Sequence, residues 1–276
     1  MNIIEYAFFQ NALLGSLLAS ILCGIIGTYI VTRRLVFISG GITHASFGGI
    51  GIGVFSGINP ILSAMVFAVL SACGVEWLSK RSDVREDSAI AVFWTLGMSV
   101  GIICCFLTPG FMPDLPSFLF GSILTIGTAD LWLLGILTAI VVATFSFFCR
   151  QIVSVAFDSI FARSQHLPVT LIEHFMMALI AMTIVSTLRM VGIVLAISLL
   201  TIPQMTANLF TFSFRRMIFL SIAIGWADCL IGLAISYQLN VPSGASIIFA
   251  GVIVYAIAKT IKTLCLKFYK RETNRL

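Results

Sequence analysis

The chain has 276 residues, of which 59% are hydrophobic and 10% charged, and it carries a net charge of +5. A soluble domain averages about a quarter charged residues, so this chain lacks the polar surface to face water on all sides. A soluble globular enzyme is excluded in favour of an integral membrane protein in contact with lipid. The positive charge calls for no nucleic-acid partner, because loop lysines and arginines at one membrane face account for it.

The first residues, MNIIEYAFFQNALLG, contain Glu5 but no Lys or Arg. They lack the basic start of a cleaved signal peptide, so the first span is expected to be retained. A membrane-crossing helix needs about 20 apolar residues. Such runs fall at 12–31, 36–56, 60–78, 88–107, 130–149, 170–188, 191–210, 217–237 and 244–261. Only Arg189 and its neighbours part the sixth run from the seventh, so one of these two is expected to be short, broken or re-entrant. The fold class is all-α, a polytopic helical bundle of about eight to nine spans.

Charge sets the orientation. With the N-terminus outside, Arg189 alone of the 16 lysines and arginines falls on the outer side. Reversing the topology would invert that asymmetry, so the C-terminus is expected in the cytoplasm.

Arg33 and Arg34 introduce a glycine-rich apolar run, RRLVFISGGITHASFGGIGIG, with His44 inside it. An imidazole in a span is costly unless it finds partners, and such residues usually face a pathway or a packed interior. His44 is therefore a functional candidate, with a hydrogen-bonded core histidine as the alternative. Gly41 with Ala45, and Gly49 with Gly53, are small residues four apart, a spacing that lets helix backbones approach closely. The expected purpose is packing at a dimer or pore interface. The run opens no βαβ unit, so it is not a dinucleotide fingerprint.

Glu86-Asp87-Ser88 opens the fourth span, where acidic groups complement the helix dipole. Three prolines over 109–116 make an irregular outer loop. The largest inner loop, 150–168, mixes charges with Val155, Ala156, Phe157, Ile160 and Phe161. Their spacing predicts a short amphipathic helix that lies on lipid headgroups or docks a cytoplasmic partner. Asp228 sits near the middle of the eighth span and must be paired, protonated or facing water; a pathway role and a private hydrogen bond are equally open. The seven cysteines form no Cys-x-x-Cys pair and read as packing residues. The sequence has no G-x-x-x-x-G-K-[ST], so any ATPase would be another polypeptide.

Taken together, several blocks resemble the integral membrane permease subunit of the bacterial metal-ion ABC importers, which carry zinc, manganese or iron. They are the two basic residues followed by His44-Ala45-Ser46 and glycines, Glu86-Asp87-Ser88-Ala89, and Phe118-Leu119-Phe120-Gly121. Further along come Phe157-Asp158 through Ala162-Arg163 to Leu167-Pro168-Val169, Val191 through Pro203 to Thr206-Ala207, and Ser236-Tyr237 with Pro242 to Ala245. The likeness covers nearly the whole chain. It implies a single transmembrane permease domain over 1–276, paired as a homodimer in the bacterial plasma (inner) membrane, with 150–168 as a cytoplasmic coupling loop. It also implies a separate ABC ATPase docked on Asp158, Ala162, Arg163 and Pro168, and an extracytoplasmic metal-binding protein that delivers the ion. No tightly bound cofactor is expected, only a transported zinc, manganese or iron ion. His44 becomes a pathway ligand, and Asp228 a second candidate.

Several positions depart from the resemblance, among them Gln204-Met205 after Pro203, where small residues are usual. Gly40 stands where the family commonly has an Asp one turn before the histidine, Ile160 where an acidic residue is common, and His166 where a glycine is common. Imidazole suits zinc and iron, whereas manganese prefers more oxygen, so the missing carboxylate favours zinc. The alternatives are an ABC permease for an iron chelate or cobalamin, which needs no liganding histidine, and an ATP-independent secondary carrier, which needs buried acids such as Asp228.

Overall fold

The computed structural model describes residues 7–81, 84–109, 123 and 126–273. Most of the 109–116 loop and the 118–121 block lie outside them. The described residues are helical almost throughout. The helices are α1 (Ala7–Thr32), α2 (Val36–Ser56), α3 (Pro60–Arg81), α4 (Glu86–Leu107), α5 (Thr128–Phe157), α6 (Ser159–Ser164), α7 (Val169–Leu199), α8 (Ile202–Phe210), α9 (Phe214–Leu239) and α10 (Ser243–Thr273). Among the described residues, nine segments are long and apolar enough to cross a membrane.

Each break has a local cause. Between α1 and α2 the chain turns in three residues, with Arg34 in the left-handed region at φ 60. Gly57, at φ 67, ends α2, and the Ile58 N–H returns to the Gly53 carbonyl at 2.9 Å. That bond satisfies an acceptor the helix end leaves free. Asn240 closes α9 in the same conformation at φ 53. The sixth and seventh apolar runs meet in α7, which is interrupted at Gly192 (φ 77, ψ 172) and ends at Leu199 before the separate α8 begins. The seventh run is therefore the broken one.

The bundle has two tightly packed groups. In one, α2 lies against α4 and α3; in the other, α9 lies against α10, α1 and α8. The long α7 packs on α3, α2, α5 and α1 and so joins the groups. Leu22, Ile26, Ile30, Ile38, Ile42, Ile180, Ile184 and Leu195 are fully buried at the centre. Phe106, Trp132 and Phe147 point outward, the arrangement expected where lipid is the solvent.

Small residues create the α2–α4 contact. A Cβ on Gly48 would lie 2.7 Å from the Gly97 carbonyl, and one on Gly51 would lie 2.5 Å from the Gly101 carbonyl. One on Gly41 would strike the side chain of Ile90. Gly49 and Gly53 serve α3 instead, at 2.5 Å from the Ser63 carbonyl and 2.7 Å from Pro60 Cα. All these close approaches are between helices of one chain.

Candidate metal pathway and docking loop

His44 sits on α2, half-buried, one residue before a point of close approach between α2 and α4. There, a Cβ on Gly97 would lie 2.6 Å from Ala45 Cα. Such an approach brings flanking side chains face to face. The indole of Trp94, one turn before Gly97, stacks on the imidazole with ring centroids 4.4 Å apart and planes within 5°. His44 Nδ1 is buried without a hydrogen-bond partner. The ring is thus held by stacking and not by a hydrogen bond. An orphaned buried nitrogen costs about 1–3 kcal/mol, so its presence calls for an explanation, of which a functional role is one.

The neighbouring hydroxyls are otherwise engaged. Thr43 Oγ1 donates to the Ser39 carbonyl, and Ser46 Oγ donates to the Thr43 carbonyl at 2.6 Å. Both residues are fully buried and bonded to their own helix. Gly40, one turn before His44, stands in open space: a Cβ there meets only Ile197 Cδ1, at 3.8 Å. The place a carboxylate would occupy is empty and accessible.

Asp228 lies on α9, at 2% exposure, and its Oδ1 has no hydrogen-bond partner. Its Oδ2 faces Gly251 of α10, where a Cβ would come within 3.1 Å. The structure does not bring Asp228 to His44, since α9 packs on α10, α1 and α8 while α2 packs on α4, α3 and α7. Among the described residues, no three His, Cys, Asp or Glu side chains cluster closely enough to hold a metal ion. His44 offers one donor per chain.

The expected amphipathic helix is α6. Asp158 caps it by accepting hydrogen bonds from the N–H groups of Ile160 and Phe161, at 3.0 and 2.8 Å. Ala162 is fully buried and packs with Val155 and Val169, which fixes α6 to the end of α5 and the start of α7. Ala162 therefore faces its own chain. Arg163 and Pro168 are exposed. The outward surface is aromatic and aliphatic, with Ile160 and Phe161 of α6 at 82 and 55% exposure beside Phe157, the last residue of α5, at 66%. At the far end the Leu167 N–H returns to the Ala162 carbonyl at 3.2 Å, with His166 left-handed at φ 56. A left-handed residue after a helix is usually glycine, which explains the family's preference at that position.

No sequence pattern pointed to Trp94, whose partner is 50 residues away and on another helix. The other side chains it failed to connect are Arg33, Glu76, Lys80 and Glu173, which meet at the end of the bundle that carries α6.

Among the described residues, nine membrane-length segments, a histidine stacked between two helices and a short helix displayed beyond their ends have the build of a membrane permease. Comparison with known proteins narrows that class: the ABC 3 transport family matches residues 5–262, and the chain belongs to this family. The manganese transport system membrane protein MntC of Listeria monocytogenes is 31% identical over 257 residues, covering 93% of this chain and 91% of that one. An uncharacterised membrane protein of Synechocystis is 38% identical over 255 residues, covering 92% and 91%. The solved structure of PsaBC from Streptococcus pneumoniae in complex with Fab superposes with a TM-score of 0.82 at 28% identity, covering 92% of this chain and 91% of that one. The protein is a multi-pass plasma-membrane permease of the metal ABC importer family.

Proposed function

We propose that two copies of this chain, N-termini outside, form the pathway of an ATP-driven importer for a divalent transition-metal ion, with His44 of each copy as a ligand. The buried, unpartnered Nδ1 of a half-buried ring carries this reading. One imidazole per chain is too few for a site, so a second copy supplies another donor, and water completes a shell loose enough to release the ion. The absence of a carboxylate at Gly40 favours zinc. Manganese is the second reading, because the Listeria relative is named for it. ATP hydrolysis belongs to a separate cytoplasmic subunit that seats on the apolar face of α6, with Arg163 and Pro168 at its edge. An extracytoplasmic binding protein delivers the ion from the opposite side.

The test is uptake of zinc(II) and manganese(II) by proteoliposomes that hold the whole complex. His44→Ala should abolish ATP-dependent uptake while the complex still assembles. Normal uptake by this variant refutes the assignment and turns attention to Asp228 or to a chelate permease that needs no liganding histidine.

A further inference from the structure

Four charged side chains from three helices meet where α6 joins the bundle. Arg33, at the end of α1, donates from Nη1 to the Val155 carbonyl at 3.3 Å and to Glu173 Oε1 at 3.4 Å. Glu173 Oε2 accepts from Lys80 Nζ of α3. The same ammonium donates to Glu76 Oε1 at 2.7 Å, one turn back on α3. Both carboxylates are buried, with side chains 5 and 6% exposed. The cations of this cluster reach in from partly exposed positions, Arg33 at 22% and Lys80 at 43%, and removing either leaves a buried carboxylate short of a partner.

Its position matters more than its strength. Val155 is one of the residues that clasp Ala162, so Arg33 grips the base of the docking helix. Glu173 lies in the second turn of α7, immediately after that helix. Helix α6 packs on α5 and α7. A push on α6 thus arrives at Val155 and at the start of α7, and the ion cluster joins both to α3. From there α3 packs on α2, the helix of His44, through the contacts of Gly49 and Gly53.

The cluster is also incomplete. Glu76 Oε2 is buried without a partner. His174, next to Glu173, gives its Nδ1–H to the Thr170 carbonyl at 2.7 Å and stands 3.8 Å from Glu76 Oε1, too far for a hydrogen bond. Arg33 reaches Glu173 only at the long end of the range. Two cations and one spare acceptor leave room for a second arrangement, in which the start of α7 slides along α3 and a donor transfers to Glu76. Packed interfaces respond to small displacements by moving between discrete arrangements of this kind.

We propose that Glu173, held by Arg33 and Lys80, is the positioning residue that transmits movement of the docking loop to α3 and α2. This rests on the ATP-driven importer reading. The assay is the complete complex in proteoliposomes, scored for metal taken up per ATP hydrolysed, with zinc(II) or manganese(II) as the wild type requires. Glu173→Gln keeps the shape and removes the charge. It should assemble and hydrolyse ATP at the wild-type rate, with uptake per ATP reduced about tenfold. Lys80→Met should act in the same direction, and the double variant should be no worse than the worse single, as for two members of one contact. An unchanged ratio in Glu173→Gln, or losses that multiply in the double variant, overturns the proposal. If Glu173→Gln does not assemble, Lys80→Met decides, and a wild-type ratio in that variant overturns the proposal equally. A wild-type complex without ATP-dependent uptake would instead refute the importer reading before any variant is compared.

Discussion

Gly97 and Gly135 both lie inside helices, yet replacing each by alanine should have opposite effects. An alanine Cβ at 97 would sit 2.6 Å from Ala45 Cα and from the Ala45 carbonyl oxygen. Comfortable contacts lie at about 3.5–4.0 Å, so α2 and α4 must part by roughly 1 Å, enough to forfeit a quarter to a half of each contact along the seam. The atoms in the way are backbone and cannot swing aside, so the cost belongs at the upper end of the about 1–3 kcal/mol typical of overpacking. Alanine returns about 1 kcal/mol of helix propensity, leaving a net loss of roughly 2 kcal/mol. At Gly135 a Cβ meets nothing within 4 Å. There the propensity gain stands alone, and Gly135→Ala should be stabilised by up to about 1 kcal/mol. Thermal unfolding in detergent micelles measures both. Because the His44–Trp94 stack spans the same seam, Gly97→Ala should also lose metal uptake in proteoliposomes. A Gly97→Ala protein as stable as Gly135→Ala would show that the helices are not in the contact described.

Gly40→Asp should fold, since its Cβ has space, and should shift transport towards manganese by roughly tenfold relative to zinc, as a hard oxygen donor joins the imidazole; competition uptake with the two ions measures it, and unaltered selectivity would place the ion elsewhere. His166→Gly should raise stability by about 0.5–1 kcal/mol by relieving a left-handed residue, a gain visible in thermal unfolding. Ala162→Trp should dislodge α6 from Val155 and Val169, detected as faster proteolysis of the 150–168 loop; an unchanged cleavage rate would contradict its burial. A Ser164→Cys label should react only from the cytoplasmic side of sealed cells, and labelling from outside would reverse the proposed orientation.

The spans could be read in the sequence because a membrane imposes one rule on every crossing segment: about 20 residues must be apolar, whatever they touch. Arg189 marked the region where the sixth and seventh runs meet, and Gly192 supplies the break. The apolar positions over 155–161 pointed to a short helix there, but only Ile160 and Phe161 fall in α6, whereas Val155, Ala156 and Phe157 form the end of α5. Which face of a residue does the work was less legible. Ala162 was expected on the docking surface and instead faces inward, because small size serves an intimate intramolecular contact as well as an intermolecular one. The glycines of α2 were expected at a dimer or pore interface, yet their close contacts are with α3 and α4. The ion cluster was invisible for a different reason. Glu173 and Lys80 are 93 residues apart, Arg33 and Glu173 are 140 apart, and no periodicity links them.

If His44 binds the ion as proposed above, through its other ring nitrogen, its free Nδ1 has a kinetic meaning. A metal-binding imidazole normally gives its second nitrogen to a carboxylate or carbonyl, and losing that support lowers metal affinity about 10–100-fold. His44 has a stacked indole in place of such an acceptor. The stack fixes the plane of the ring but does not make the nitrogen more basic. At a given rate of capture, weaker affinity means a shorter dwell by the same factor. A storage protein would be poorly served by so brief a hold. A conduit that must empty with each stroke of its motor gains from it, because the ion leaves without further work to pull it free.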